Sequence, residues 1–172
     1  MRAPEFSRPE RLDSIGAGER KVSVEADAEE RRRLAGRFGL IAIDKLIGQF
    51  TLKQEAAGIR VDGRVEAEVT QACSVTGEPL PAAIDEPVAL LFVADTGDGE
   101  EVELSDDSID TLFHDGAAID LGDVAAETMA LALDPFPRAP GADAALKEAG
   151  VIGEGEGGAF GALASLLKKD GP

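Results

Sequence analysis

The alternation of residues 59–71 constrains the fold of this 172-residue chain more than any other feature of its sequence. Polar or charged residues alternate there with a set of apolar or small ones, namely Ile59, Val61, Gly63, Val65, Ala67 and Val69. Successive side chains of a β-strand point to opposite faces, so the pattern predicts a strand with one buried and one solvated face. Residues 47–55 carry a similar pattern, and the turn-like residues 56–58 separate the two runs. Together they predict an antiparallel hairpin.

Two helices are predicted to flank the sheet. Asp27 is placed to cap a helix over Ala28–Phe38, because a carboxylate at this position accepts hydrogen bonds from the free N–H groups of the first turn. Gly39 is expected to end that helix. A second helix is predicted over Leu121–Leu133, between an N-cap at Asp120 and Pro135. Its buried stripe is expected to contain Leu121, Val124, Thr128, Leu131 and Ala132.

Shorter patterns complete the predicted α+β fold. They indicate strands over residues 20–26 and 84–94, and a short strand near 102–104 inside the acidic loop 96–110. Three prolines keep residues 134–141 extended, and a short helix over residues 142–149 follows them. The predicted architecture is a mostly antiparallel sheet, open or barrel-like, with two flanking helices and a C-terminal tail helix.

The chain is expected to divide into a domain over residues 1–150, with its core at about 10–141, and a tail over residues 151–172. Glycine and glutamate alternate at residues 153–158, a composition typical of a flexible linker. Residues 159–169 predict an amphipathic helix, because Phe160, Leu163 and Leu167 lie at helical spacing. Such a helix needs an apolar surface to dock on, and its apolar residues are candidates for partner binding.

The charge of the chain is divided unevenly. Seventeen Lys and Arg residues oppose 34 Asp and Glu residues, which gives a net charge of −17. Residues 1–70 hold 13 basic and 13 acidic side chains, whereas residues 71–172 hold 4 and 21, so the whole imbalance lies in the second part. A chain this acidic is a poor candidate for binding DNA or an anionic membrane. Its acidic part, above all residues 95–134, is either a solvated surface or a surface for a basic protein.

A cluster of arginines on the first predicted helix supports a competing hypothesis. Four positions, Arg31, Arg32, Arg33 and Arg37, concentrate positive charge despite the acidity of the rest of the chain. Screening limits electrostatic interactions to about 8 Å at physiological salt, so distant carboxylates do not prevent such a cluster from meeting phosphate. Direct binding of RNA through these arginines is therefore the alternative to protein binding, although exposed arginines on a helix are often only solvated.

Few residues offer enzymatic or metal chemistry. The chain has one Cys and one His, which excludes an internal disulfide and a Cys/His zinc site within one chain. We expect no cofactor and no metal. The start of the sequence has no apolar signal segment, which favours a soluble cytoplasmic protein. A hydrolase or thiol enzyme using Cys73 or His114 is the remote alternative, because Cys73 ends the predicted strand 59–71 and is expected to be buried.

Six short segments, in order along nearly the whole chain, carry a family resemblance: Pro4–Arg8, Ala26–Arg31, Gln71–Leu80, Ile119–Glu127, Leu131–Arg138 and Phe160–Leu166. In these segments the chain resembles the YceD family of large ribosomal RNA subunit accumulation proteins, and most closely its alphaproteobacterial branch. The motif positions expected to be structural are Cys73, Thr76, Gly77, Glu78, Pro79, Asp120, Leu121, Glu127, Pro135, Pro137 and Arg138.

The resemblance implies a role in the accumulation, processing or stability of large-subunit ribosomal RNA, with no established enzymatic reaction. Many members of the family have Cys-x-x-Cys at the centre, but this chain has Cys73 and Thr76, so a two-thiol site within one chain is impossible. A hairpin corner suits these residues better, because Gly77 permits an unusual φ and Pro79 restricts one.

The leading hypothesis is therefore a non-catalytic ribosome-biogenesis factor that binds a basic ribosomal protein or assembly factor. Binding of precursor large-subunit ribosomal RNA through the arginines is the second hypothesis. Catalysis is the third.

Overall fold

The computed structural model describes residues 4–16, 18–94, 110–114 and 118–151, and it confirms an α+β fold. The chain divides into two compact units, one of residues 1–71 and 81–135 and the other of residues 72–80 and 136–172. The strands are β1 (Pro9–Arg11), β2 (Arg20–Glu25), β3 (Ala42–Gln54), β4 (Ile59–Ala72), β5 (Pro79–Ala94), β6 (Asp110–His114) and β7 (Ala118–Asp120). The helices are α1 (Ala28–Phe38), α2 (Leu121–Leu131) and α3 (Ala142–Glu148), and a single 3-10 turn covers Leu12–Ser14.

Five strands form the main sheet, in the order β2-β3-β4-β5-β6. The pairs β2–β3 and β3–β4 are antiparallel, as predicted, whereas β5 and β6 are parallel, in register from Leu90 opposite Asp110 to Ala94 opposite His114. The sheet is therefore mostly antiparallel but mixed. Within the described ranges β2 and β6 remain its two edges, so it does not close into a barrel. The short strands β1 and β7 pair separately.

The hairpin of β3 and β4 confirms the alternation on which the fold prediction rests. Residues of the apolar set in β4 are buried, apart from the half-buried Gly63, and the turn is closed by reciprocal backbone hydrogen bonds between Glu55 and Gly58. Strand β3 begins at Ala42, five residues before the predicted start at Ile47. The register of β3 against β4 shifts between Ile43 and Lys45, which reverses the faces of the residues before the shift. Such a bulge breaks the period-2 pattern, so the alternation underestimates the length of the strand.

The core of the first unit lies between one face of the sheet and both long helices, which contact β3. Among its largest fully buried side chains are Leu34, Leu46, Leu52, Val65 and Met129. Gln71 is the one buried polar residue among those described, and its amide nitrogen donates a hydrogen bond to the carbonyl oxygen of Asp134 at 2.8 Å. This bond satisfies a polar group that would otherwise be costly to bury.

Helix α1 has the predicted bounds because its ends are determined locally. The Asp27 carboxylate accepts hydrogen bonds from the backbone N–H groups of Glu29 and Glu30, and the Glu30 side chain accepts one from the N–H of Asp27. This reciprocal arrangement is a capping box. Gly39 takes the left-handed conformation that ends the helix, as predicted.

Helix α2 is shorter than predicted and departs from the predicted stripe at one residue. It ends at Leu131 rather than at Leu133. Leu121 and Val124 are buried as predicted, and Gly122 and the small side chains beside it complete the buried face. Leu131, the last residue of the helix, points away from this face, and its side chain is 89% exposed although the stripe predicted it to be buried.

The second unit is built from a turn and a short helix. Cys73, Ala139 and Ala142 form its small apolar cluster, against which Val75 and Leu80 pack. The predicted short helix is confirmed as α3, and the proline-containing residues before it form neither helix nor strand. The predictions for residues 95–109 and for the tail beyond Val151 lie outside the described residues. None of the described helices is both long and apolar enough to cross a membrane.

Candidate functional site

The N-terminal segment and the start of α2 are joined through Asp120. The Asp120 carboxylate caps α2 by accepting hydrogen bonds from the N–H groups of Gly122 and Asp123, at 2.9 and 3.3 Å. The same carboxylate accepts hydrogen bonds from the Ser7 hydroxyl and from the backbone N–H of Arg8. Two of the segments that carry the family resemblance therefore meet at one side chain.

Arg8 extends this connection to α1. Its guanidinium donates two hydrogen bonds to the Glu30 carboxylate, at 2.8 and 2.9 Å, and one to the carbonyl oxygen of Glu25. The hydrogen bond from Arg8 lowers the pKa of Glu30 below its ordinary value, although partial burial opposes the shift. Arg8 also lies over the ring of the buried Phe6, 4.8 Å from its centroid. The arrangement holds the N-terminal segment against both helices of the first unit.

Most of the arginines predicted to bind RNA are engaged within the protein. Arg31 donates a hydrogen bond to the carbonyl oxygen of Ala26 at 2.6 Å, and Arg33 pairs with Glu29 one turn away. Arg37 lies 3.3 Å from the carboxylate of Glu5 and 3.8 Å from that of Asp123. Arg32 is exposed and makes no hydrogen bond or ion pair in the part of the chain that the structure describes. The structure therefore leaves one unengaged guanidinium on α1 where the sequence predicts four.

The central family segment forms a tight corner in the second unit. The Cys73 side chain is 4% exposed, and its Sγ accepts hydrogen bonds from the backbone N–H groups of Ala139, at 3.2 Å, and Thr76, at 3.4 Å. The hydrogen bond from the Thr76 side chain and these two backbone bonds lower the pKa of the thiol to about 6. The Ser74 N–H donates to the carbonyl oxygen of Pro137, so the corner is attached to the segment that precedes α3.

The remaining motif residues of this unit lie around the same corner. Gly77 has a φ of +75°, the left-handed conformation that glycine adopts without strain. The Thr76 hydroxyl oxygen lies 3.0 Å from a carboxylate oxygen of Glu78, and Pro79 begins β5. Arg138 forms an exposed ion pair with Asp143. The contacts of Thr76, Gly77 and Glu78 lie within the turn itself.

The two residues named for the catalytic alternative belong to different units. Cys73 belongs to the second unit, whereas His114 ends β6 in the first. Among the described residues no group of three or more His, Cys, Asp or Glu side chains is arranged to hold a metal ion. The Cys73 thiol is also buried and held by backbone donors, an environment that limits its access to substrates.

The acidic residues of the first unit differ in whether they have partners. Asp120 and Asp123 contact cationic or backbone groups of the fold, as described above. Glu86, Asp110 and Glu127 are exposed, and within the described ranges they make no hydrogen bond or ion pair. Each of these three carboxylates therefore has capacity for an external cation.

Two functional features are absent from the sequence prediction. One is the bridge that Arg8 makes to Glu30, for which the only signal is the presence of Arg8 in a family segment. The other is a groove lined by Val88, Leu90 and Leu131, which no periodicity predicts because it is assembled from β5, β6 and α2. The helical spacing of Leu131 predicts a buried residue, so no sequence pattern indicates that it lines the groove.

Comparison with known proteins covers the family segments from Gln71 onwards, the last of them up to residue 164, whereas Pro4–Arg8 and Ala26–Arg31 lie outside the matched region. Residues 61–164, more than half of the chain, match the family described as "Large ribosomal RNA subunit accumulation protein YceD". No curated protein and no solved structure matches the chain. The matched region contains the Cys73 corner, Asp120 and the whole of α2, and the name of the family implies a role in accumulation of the RNA of the large ribosomal subunit. The chain belongs to the YceD family of large ribosomal RNA subunit accumulation proteins.

Proposed function

We propose that this chain supports the accumulation of large-subunit ribosomal RNA without catalysis, by binding a basic ribosomal protein or a basic assembly factor through the acidic residues of its second part. One observation carries the proposal: in the described fold eight basic side chains of the first part pair with carboxylates, whereas residues 71–172 have only 4 basic side chains for 21 acidic ones. An acidic surface attracts a basic partner, which raises the rate of association and the specificity of binding above those of an uncharged surface.

The ion pairs of the first unit support this division. Those of Arg8, Arg20, Arg37 and Lys45 involve acidic residues of the same first part or of α2. Exposed pairs contribute little to stability, but they reduce the positive potential that an anionic ligand would meet. Residues 71–172 have only four basic residues for 21 acidic ones, so they cannot be neutralised in the same way.

Direct binding of RNA through the arginines of α1 is the alternative, and of those four arginines only Arg32 is unengaged. A single free guanidinium makes one phosphate contact, whereas useful affinity for RNA without base stacking requires several. The chain has no Trp and no Tyr, which reduces its capacity for stacking on bases. A thiol or hydrolytic reaction has even less support, because YceD proteins are not known as enzymes and the Cys73 thiol is buried.

The experiment that tests the proposal is a calorimetric titration of the purified chain with individually purified basic proteins of the large ribosomal subunit, at low and high salt. We expect at least one of them to bind, with an affinity that falls as salt rises because the charges are screened. The same titration with large-subunit ribosomal RNA tests the alternative. Failure of every protein to bind at low salt would overturn the proposal. Tight RNA binding that Arg32→Glu abolishes would replace it with the alternative.

A further inference from the structure

A groove of about 300 Å³ opens in the first unit where three elements end or fail to pair. One wall is β5 over residues 86–90, another is the last turn of α2 with Thr128 and Leu131, and Asp110 at the start of β6 lies between them. Val88 is buried at its base and Leu90 is half-buried. The Leu131 side chain, 89% exposed, stands at its rim.

The groove exists because the sheet and the helix both stop short of this corner. Strand β6 pairs with β5 only from Leu90 onwards, so no described strand pairs with the preceding residues of β5 on that side. Pro87 lies in this unpaired stretch and has no N–H to offer a further strand, which protects the edge from sheet extension. The fold therefore leaves a depression suited to side chains of a partner rather than to an added strand.

The charge around the groove selects the kind of occupant. Glu86 and Asp110 are exposed in its lining, and no Lys or Arg lines it. Glu127 lies one helical turn before Leu131 and on the same side of α2. An anionic ligand such as RNA is repelled by this surface, and so is a second copy of a chain with a net charge of −17.

We propose that the groove binds a basic protein segment that packs an apolar side chain against Val88 and Leu131 and places Lys or Arg side chains at Glu86 and Asp110. This inference rests on the proposed function, since it assigns the site at which the basic partner docks. Apolar contact at the base and ionic contact at the rim are the usual division between the centre and the edge of a protein interface.

The test measures the affinity of the ribosomal protein that binds the wild-type chain most tightly in the titration above. Leu131→Gln removes the apolar contact, and because Leu131 is exposed the change is tolerated by the fold. The double variant Glu86→Gln/Asp110→Asn removes the two charges. The matched controls are Ile41→Gln, at an apolar residue that is 53% exposed, and Asp44→Asn/Glu55→Gln, at exposed carboxylates elsewhere in the unit.

We expect both groove variants to weaken binding about tenfold or more and the controls to change it less than about twofold. Groove variants that bind like the controls, while the wild type binds tightly, would overturn the groove and leave the proposed function standing. A wild-type chain that binds none of the proteins would overturn both.

Two results would assign the groove to another occupant and would equally overturn this proposal. One is a wild-type dimer in sedimentation that Leu131→Gln dissociates. The other is tighter binding of the ribosomal protein by the Leu163→Asp variant. That result would indicate that the apolar side of the predicted tail helix competes for the groove.

Discussion

The Asp120 carboxylate accepts a hydrogen bond from the backbone N–H of Arg8 at 2.7 Å, across 112 positions of the sequence. Asp120 is also the N-cap of α2. The Arg8 side chain pairs with Glu30, which itself forms the capping box of α1 with Asp27. The starts of both long helices are therefore connected through the N-terminal segment. Removal of either residue is expected to affect more than its own helix.

Replacement of Asp120 by alanine is predicted to lower the free energy of unfolding by about 1–3 kcal/mol. The variant loses the cap of α2 and leaves the Ser7 hydroxyl and the Arg8 N–H without their acceptor. Urea denaturation at neutral pH measures the change. Asp110→Ala is the control, because this exposed carboxylate makes no hydrogen bond or ion pair with the described part of the chain and should change stability by no more than about 0.5 kcal/mol. Equal effects in the two variants would contradict the prediction.

The ion pair of Arg8 and Glu30 predicts a dependence of stability on pH. The folded-state pKa of Glu30 is lowered from its ordinary value of 4.5. The contribution of the ionised Glu30 to the free energy of unfolding is therefore complete above pH 4.5 and is lost as the pH falls through the folded-state pKa. Glu30→Gln should therefore be less stable than the wild type at neutral pH, by a difference that shrinks under acidic conditions. Unfolding curves across this range measure it, with Glu55→Gln as the control for loss of one exposed carboxylate. A difference that does not change with pH would argue against the pair.

A matched pair of glycine substitutions tests the close contact between α2 and the N-terminal segment. A Cβ atom at Gly122 would lie 2.7 Å from the carbonyl oxygen of Phe6, so Gly122→Ala is predicted to destabilise the fold by about 1–3 kcal/mol. A Cβ atom at Gly36, in α1, would meet nothing within 4 Å. Gly36→Ala should stabilise the protein by about 0.5–1 kcal/mol, because alanine favours the helix. Thermal or urea unfolding of both variants gives the comparison, and a neutral Gly122→Ala would be inconsistent with the contact.

The hydrogen bonds to Cys73 predict a thiol that ionises near pH 6. The folded-state pKa of Cys73 is lowered from 9.0 to about 6. The contribution of the ionised thiol to the free energy of unfolding should therefore grow as the pH rises from about 6 towards 9, and it should be lost as the pH falls through about 6. The ultraviolet absorbance of the thiolate, followed against pH under reducing conditions, measures this pKa directly.

Two variants test the cause of the shift in the pKa of Cys73. Thr76→Val removes the hydroxyl that contributes most and should raise the pKa, whereas Cys73→Ala should abolish the growth of stability with pH. Ser74→Ala is the control, since Ser74 is exposed and contacts Pro137 through its backbone N–H. A thiol that titrates near 9 in the wild type would refute the assignment.

The parts of the fold that follow from sequence are those whose causes lie within a few neighbouring residues. Helix α1 has its predicted bounds because Asp27, Glu30 and Gly39 satisfy its ends locally. Strand β4 agrees with its alternation because each position faces either the core or water. Strand β6 was not predicted. Its five residues carry no alternating pattern, and it is defined only by pairing with β5.

The candidate site was less predictable than the fold for the same reason. The sequence showed the excess of acidic residues, the cluster of arginines and the lone Cys73, but not which charges are paired. Arg31 and Arg33 are engaged by groups near them in the sequence, at Ala26 and Glu29. Arg37 is engaged by Glu5, 32 positions away, which only the folded chain brings within reach.

By itself the amino-acid sequence determined the α+β class, the β3–β4 hairpin, the limits of α1 and the location of the negative charge, because local hydrogen bonding and side-chain periodicity suffice for each. Tertiary structure alone decided that Asp120 joins the N-terminal segment to α2, and that Leu131 lies exposed beside a groove. Those outcomes depend on packing between residues far apart in the chain, such as the close contact between Gly122 and the backbone of Phe6.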